Sequence, residues 1–236
     1  YWLRDDKRAA PEVLAYLNAE NQYYQQYAAK YPELTKTLTD EIIGRIKQDD
    51  SSVPSVKGDY SYYSRFESGK QYPIYARKPK QGGAEQVMLD VNQMADGKDF
   101  YQIGNYAVSP DQQLLAYVED LNGRRSYTVR IRDLRTGKDL PDQITGAEAS
   151  LAWSADSKQL FFVEKDPQTL LGNKIKRHTL GQPATAAEVL YQEKDNSFYI
   201  GVGNSNDDQY VVISTSSTVS SEMFVLRSDD KKGQFK

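Results

Sequence analysis

His178, in the stretch IKRHTLG, is the one imidazole in the chain and so the one side chain suited by type to acid–base work near neutral pH. It falls at the end of a predicted strand beside Lys176 and Arg177. A catalytic base needs an orienting carboxylate, and no local pattern supplies one, so His178 reads as a surface strand residue. Serine nucleophiles of the hydrolase type sit in a G-x-S-x-G elbow. The nearest stretch, Gly203–Asp207 (GNSND), lacks the second glycine, and Ser214–Ser221 reads as solvated strand and turn. Asp90, Asn92 and Asp96-Gly97 follow the beginning of a calcium loop. Met94, however, puts an apolar side chain at the fifth position, and no Glu stands at the twelfth, so a polar turn is expected. The Asp pairs at 5-6, 49-50, 207-208 and 229-230 read as turn and cap residues. There is no glycine-rich phosphate loop, and the absence of cysteine removes disulfides and thiolate metal sites. No catalytic, metal-binding or cofactor-binding residue is therefore assigned. One charged cluster remains, Glu119-Asp120-Leu121-Asn122-Gly123-Arg124-Arg125, read as a hairpin tip. It suits either an ordinary solvated turn, whose exposed ion pairs contribute little, or a contact with a partner domain.

The elements that carry these residues are set by a repeat. Asn105–Glu119 (NYAVSPDQQLLAYVE) recurs as Ala149–Glu164 (ASLAWSADSKQLFFVE) and more loosely as Gly201–Thr215 (GVGNSNDDQYVVIST). Each copy is an apolar strand, a Ser-x-Asp turn and a second strand. Ser109, Ser154 and Ser205 mark the turns, and Leu134, Leu180 and Leu226 mark a later strand end in each unit. A repeat of about 40–50 residues built from short alternating strands is the signature of a β-propeller blade. Tyr60–Phe66, Tyr72–Lys78 and Gln86–Asp90 form a less regular first blade. Its Gly58-Asp59 turn is placed where Asp111 stands in the next unit. The count is three to four blades. An open arc leaves unpaired strand edges, so the chain is expected to be a piece of a longer one. It opens without Met and stops at Lys236 inside a blade.

Before the strands, periodicity predicts two helices. Pro11 opens one that runs to about Tyr31, with Val13, Leu14, Leu17, Tyr24, Tyr27 and Ala28 on one face. Pro32 opens the second, with Leu34, Leu38 and Ile42 in line. Tyr1–Ala10 reads as an extended arm. Residues 1–46 are taken as a helical segment, 47–58 as a linker and 59–236 as the first half of a propeller. The net charge is −3 with dispersed Lys and Arg, which gives no basic field for nucleic acid. No apolar run approaches a membrane span. The chain is expected to be cytoplasmic, with a periplasmic location as the alternative.

The same residues resemble the oligopeptidase B (protease II) branch of the prolyl oligopeptidase family. Tyr1-Trp2-Leu3-Arg4-Asp5-Asp6 followed by Pro11-Glu12-Val13-Leu14 resembles its opening. Val108-Ser109-Pro110-Asp111, Arg130-Ile131-Arg132-Asp133-Leu134 and Tyr191-Gln192-Glu193-Lys194-Asp195 extend the match along the chain. The resemblance implies a serine peptidase that cleaves short peptides after Lys or Arg. In that architecture a seven-bladed propeller caps an α/β-hydrolase domain and excludes folded proteins by size. It implies that the Ser, Asp and His of catalysis lie in the hydrolase domain, C-terminal to this sequence, and that residues 1–46 pack on that domain. The implied partners are thus that domain and oligopeptide substrates. Trp2, Arg4, Glu119, Arg124 and Arg125 become the expected interdomain or gate residues. The rival reading is a stand-alone propeller that binds proteins without catalysis, and a third is a periplasmic scaffold propeller.

Overall fold

Prolines begin both helices, where a missing N–H costs no hydrogen bond. In the computed structural model, which describes residues 2–230 and 233–236, α1 runs Pro11–Ala28 and α2 Pro32–Gly44. Each has a glutamate in its first turn, Glu12 or Glu33, where the helix dipole favours negative charge. The two helices belong to a unit spanning Tyr1–Asp50. Only Val13 of their apolar residues is buried; Leu14, Leu17, Tyr24, Tyr27, Leu34, Leu38, Ile42 and Ile43 are exposed. The segment before α1 turns back on itself instead of extending, because the Asp5 carboxylate accepts the Ala10 N–H at 2.6 Å. Tyr1, the first residue of the opening motif, lies outside the described residues.

The second unit, Ser51–Lys236, is built of antiparallel strands in chain order. β1 (Ser55–Lys57), β2 (Tyr60–Arg65), β3 (Ile74–Pro79) and β4 (Gln86–Asp90) form the first blade. Residues 55–57 of the expected linker are therefore a strand, paired with β2. The expected polar turn after Asp90 is a short helix, α3 (Val91–Ala95), capped by the Asp90 carboxylate. Next come β5 (Gln102–Val108), β6 (Leu114–Asp120), β7 (Tyr127–Asp133) and β8 (Lys138–Trp153). β9 (Gln159–Lys165), β10 (Gly172–Thr179) and β11 (Glu188–Gln192) follow, all in one seven-stranded sheet. The last sheet is β12 (Tyr199–Asn204), β13 (Tyr210–Ser216) and β14 (Ser221–Arg227), and Lys236 exchanges two backbone bonds with Val225 along β14.

The seven-stranded sheet is two blades joined through one long strand. Residues 138–147 of β8 pair with β7 and close the second blade; residues 147–153 pair with β9 and open the third. The partner changes at Ala147, beside Gly146, whose φ of +73° lets the strand turn. Counted this way, the unit holds three four-stranded blades and most of a fourth, an incomplete β-propeller.

Three hydrophobic clusters lie between successive blades. Tyr62, Met88 and Leu89 meet Leu115, Tyr117 and Leu134 between the first two. Val118, Val129 and Ile131 meet Trp153, Leu160 and Phe162 between the next pair. Phe161, Val163 and Ile175 meet Val202, Val211 and Ile213 between the last. Strand alternation supplies this directly, because each blade sends one set of side chains to each neighbour.

The opening strands of blades two, three and four are tied by side chains bonding to backbone. Asn105 Nδ2 donates to the Ala149 carbonyl at 2.9 Å, and the Trp153 indole donates to that of Ala107 at 2.9 Å. Ser150 Oγ both donates to the Val202 carbonyl and accepts its N–H, each at 2.9 Å. Asn204 does the same for Trp153, at 2.8 and 2.9 Å.

The Ser-x-Asp repeat is one turn made three times. Ser109, Ser154 and Ser205 each donate to the Asp two residues on, at 2.5, 2.8 and 2.6 Å. Each Oγ also accepts the N–H of the residue five positions later, at 2.9 Å. The residue after each Asp, Gln112, Ser157 or Asp208, has φ near +60°. In the first blade that left-handed position is Gly58, so Asp59 aligns with Gln113 and not with Asp111.

Candidate functional site

The charged hairpin is built by β6 and β7, and its acidic residues point inward. Glu119 is buried: Tyr101 donates its hydroxyl to one carboxylate oxygen at 2.8 Å and Arg130 Nε donates to the other at 3.0 Å. Asp120 is buried as well. One of its oxygens accepts the N–H groups of Asn122 and Gly123 and the other that of Arg125, so Asp120 shapes the turn. The expected solvated tip is thus reduced to residues 121–126. The pattern could not show this, because Glu119 and Asp120 end a strand whose every residue after Leu114 is buried. Arg125 is exposed in a left-handed conformation, and its carbonyl accepts Lys165 Nζ at 2.6 Å. Arg124 is half-buried.

Beside Glu119 the same device recurs. The Tyr117 hydroxyl donates to Asp139 at 2.9 Å, and Arg132 grips Asp139 through Nε and Nη2 at 2.7 and 3.2 Å. The Arg132 Nη1 crosses to the first blade and donates to the Met88 carbonyl at 3.0 Å. Burial, and then the adjoining carboxylate, pushes the Tyr101 and Tyr117 phenols well above the usual tyrosine range. These are two tyrosine–carboxylate–arginine sets with every charge engaged. They fix charge in place, and they present no activated nucleophile.

His178 is not a surface residue. It lies on β10 with 1% of its surface exposed, and its Nε2 is 2.7 Å from Asp142 Oδ1. Asp142 comes from β8, in the part of that strand that closes the second blade, so the pair bridges blades two and three. The orienting carboxylate that local sequence lacked is thus supplied 36 residues away in the chain. No signal in the sequence could have found it, because the two strands meet only when the blades stack. A histidine–aspartate pair with no serine or other nucleophile bonded to the ring is a clamp and not a catalytic dyad. The look-alike serine, Ser205, is the blade-four turn serine. Among the described residues, no group of three His, Asp or Glu side chains is arranged to hold a metal ion. No helix among them is long and apolar enough to cross a membrane.

In the helical unit, Trp2 is exposed and packs edge-on against Tyr16, with ring centroids 5.1 Å apart. Arg4 pairs with Asp6 at 3.2 Å. Both lie in that unit, and Glu119, Arg124 and Arg125 lie in the other.

Comparison with known proteins agrees with this architecture. Residues 1–236 match the family described as "Prolyl oligopeptidase, N-terminal beta-propeller domain". A protein from Pseudoxanthomonas mexicana named "Dipeptidyl aminopeptidase BI" is 50% identical over 239 residues, covering 94% of this chain and 33% of that protein. "Protease 2" from Moraxella lacunata is 31% identical, covering 97% of this chain and 34% of that protein. The solved structure of oligopeptidase B from Leishmania major superposes with a TM-score of 0.91 at 32% identity, covering 99% of this chain and 33% of its own. The chain therefore spans about a third of the length of each of these proteins.

Proposed function

Because the chain belongs to the prolyl oligopeptidase family, through the N-terminal β-propeller domain, we propose that it is the cap of a serine oligopeptidase that cleaves short peptides after Lys or Arg. The observation that carries this reading is the family match over the whole chain, joined to relatives about three times as long. The hydrolytic serine, its base and its acid would lie in a C-terminal α/β-hydrolase domain. This chain supplies the propeller and the helical segment. The exposed apolar faces of α1 and α2 support docking of residues 1–46 on that domain, since water-exposed Leu and Ile at helical spacing gain free energy when covered. Trp2, Arg4, Arg124 and Arg125 would meet it across a mobile interface, with Glu119 holding the β6–β7 hairpin that presents the two arginines.

The propeller's part is steric. A cap over the active site admits short or unfolded chains and turns away folded ones, without a recognition motif of its own. In the full-length protein, cleavage rate is expected to fall steeply with peptide length and to vanish for a folded protein carrying exposed Lys and Arg. Equal rates on a short peptide and a folded protein would remove the cap.

A second reading concerns how the peptide end is recognised. The relative at 50% identity is named a dipeptidyl aminopeptidase, while those named Protease 2 and oligopeptidase B stand at 31 and 32%. An N-terminally blocked arginine amide and an unblocked dipeptidyl amide separate the two. Turnover of the blocked substrate supports internal cleavage after basic residues. Turnover of the unblocked one alone assigns release of dipeptides from the N-terminus.

A further inference from the structure

Asn122 is the one asparagine in the chain that a glycine follows, and both residues are exposed at the tip of the β6–β7 hairpin. Asparagine is a chemically labile residue, and a following glycine leaves its own backbone nitrogen open to approach, since no side chain screens it. Three hydrogen bonds decide what the turn does with this pair. The Arg124 N–H donates to Asn122 Oδ1 at 3.1 Å, which curls the side-chain amide back over the chain. Asp120 Oδ1 accepts the Gly123 N–H and the Asn122 N–H, each at 3.0 Å. Asp120 is 1% exposed, so water reaches the amide while the carboxylate stays buried.

These bonds act in opposite senses on one reaction. In it, the Gly123 nitrogen gives up its proton to a solvent base and attacks Asn122 Cγ. The bond from Cγ to the side-chain nitrogen breaks, that nitrogen leaves as ammonia with a proton from water, and a five-membered succinimide remains. Water then opens the ring at either carbonyl, which gives aspartate or isoaspartate. The net change is one water consumed and one ammonia released, with no oxidant or reductant. The oxygen that gathers negative charge during the attack is Asn122 Oδ1, and the Arg124 N–H already donates to it, as donors do in an oxyanion hole. Asp120 works against the first step. Its negative charge lies against the nitrogen that has to become an anion and disfavours that form.

We propose that Asn122 is a site of spontaneous deamidation, with Asp120 as the group that restrains it. The product puts a new carboxylate in the same turn as Arg124 and Arg125, so the exposed charge of residues 121–125 falls from two positive charges to one. Isoaspartate also adds a methylene to the main chain inside the turn, and so lengthens the span over which Asp120 gathers three N–H groups. The hairpin thus carries a slow change of charge and shape. The chemistry needs only water and is independent of the proposed peptidase activity.

The test is peptide mapping by mass spectrometry of the full-length protein aged in warm, mildly alkaline buffer, beside Asp120→Asn, Asp120→Ala and Asn122→Ser. The expected result is conversion at Asn122 ahead of every other asparagine, as a mixture of aspartate and isoaspartate, and none at this position in Asn122→Ser. Asp120→Asn keeps an acceptor and drops the charge, so it should convert faster than wild type. Asp120→Ala should convert roughly tenfold faster, the loss of a hydrogen bond to a charged group. Wild-type protein aged in urea releases the same bond without a substitution, so it serves even where Asp120→Ala fails to fold, and it should convert faster by about the same factor or more. An intact Asn122 after other asparagines have converted overturns the site. Unchanged or slower conversion in Asp120→Asn, or equal rates in the folded protein and in urea, overturns the restraint.

Discussion

Replacing Glu119 by Ala separates a structural from a superficial role for the β6–β7 hairpin. The substitution leaves the Tyr101 hydroxyl, on a residue 3% exposed, without its acceptor. A buried hydroxyl left unsatisfied costs about 1–3 kcal/mol. It also strips Arg130 of its carboxylate. Breaking a fully buried pair costs about 3–5 kcal/mol, but the Arg130 side chain is 32% exposed and keeps Gln143, so only a minor part of that applies. The sum is a loss of about 2–4 kcal/mol, equivalent to roughly 5–15 °C in Tm for a domain of this size. Urea unfolding of Glu119→Ala, Tyr101→Phe, Arg130→Ala and the pairwise doubles measures it. The cycle isolates the Glu119–Arg130 coupling from the hydroxyl's contribution. A loss below about 0.5 kcal/mol in Glu119→Ala, the range of ordinary surface changes, would refute the inward reading of this carboxylate.

Three other outcomes are expected. Gly104→Ala places a methyl 2.5 Å from the Tyr127 ring, a neighbour that the blade core holds in place, and should destabilise by about 1–3 kcal/mol; wild-type stability in urea would mean that the ring can move. Ser154→Ala removes the acceptor of the Gln159 N–H at a buried turn and should cost about 1–3 kcal/mol, more than Ser205→Ala at the more exposed fourth-blade copy. A reversed order in thermal melts would contradict the dependence of the cost on burial. The Asp133 carboxyl is held down to about 2, first by the Arg135 side chain and then by the Arg135 N–H. Its folded value lies below the ordinary aspartate value, so it contributes stability that is present above pH about 4 and is lost as pH falls toward 2. NMR titration should show a midpoint well below 3, and a midpoint near the ordinary value would show the Arg135 pair to be ineffective.

Local pattern made the elements legible. Pro11 and Pro32 with their apolar spacing marked both helices, and α1 and α2 begin at those prolines. The Ser-x-Asp repeat marked three turns that share the same two serine hydrogen bonds, because a serine, an aspartate and a left-handed residue within six positions fix the geometry locally. The blade count followed from the repeat. The first blade was harder to register, since Gly58 does there what Gln112, Ser157 and Asp208 do elsewhere, and no Ser-x-Asp marks it.

What the sequence determined by itself is therefore whatever depends on neighbours within one blade: helix starts, strand alternation, turn chemistry and the number of repeats. What only the tertiary structure decided is whatever one blade does to the next. It joined two blades through the continuous strand β8, buried Glu119 against Tyr101 and Arg130, and brought Asp142 to His178. The reason is physical. A turn or helix is specified by side chains a few residues apart, whereas a contact across a seam depends on how two sheets stack. Only that stacking decides which polar residues leave water and which partners they find there.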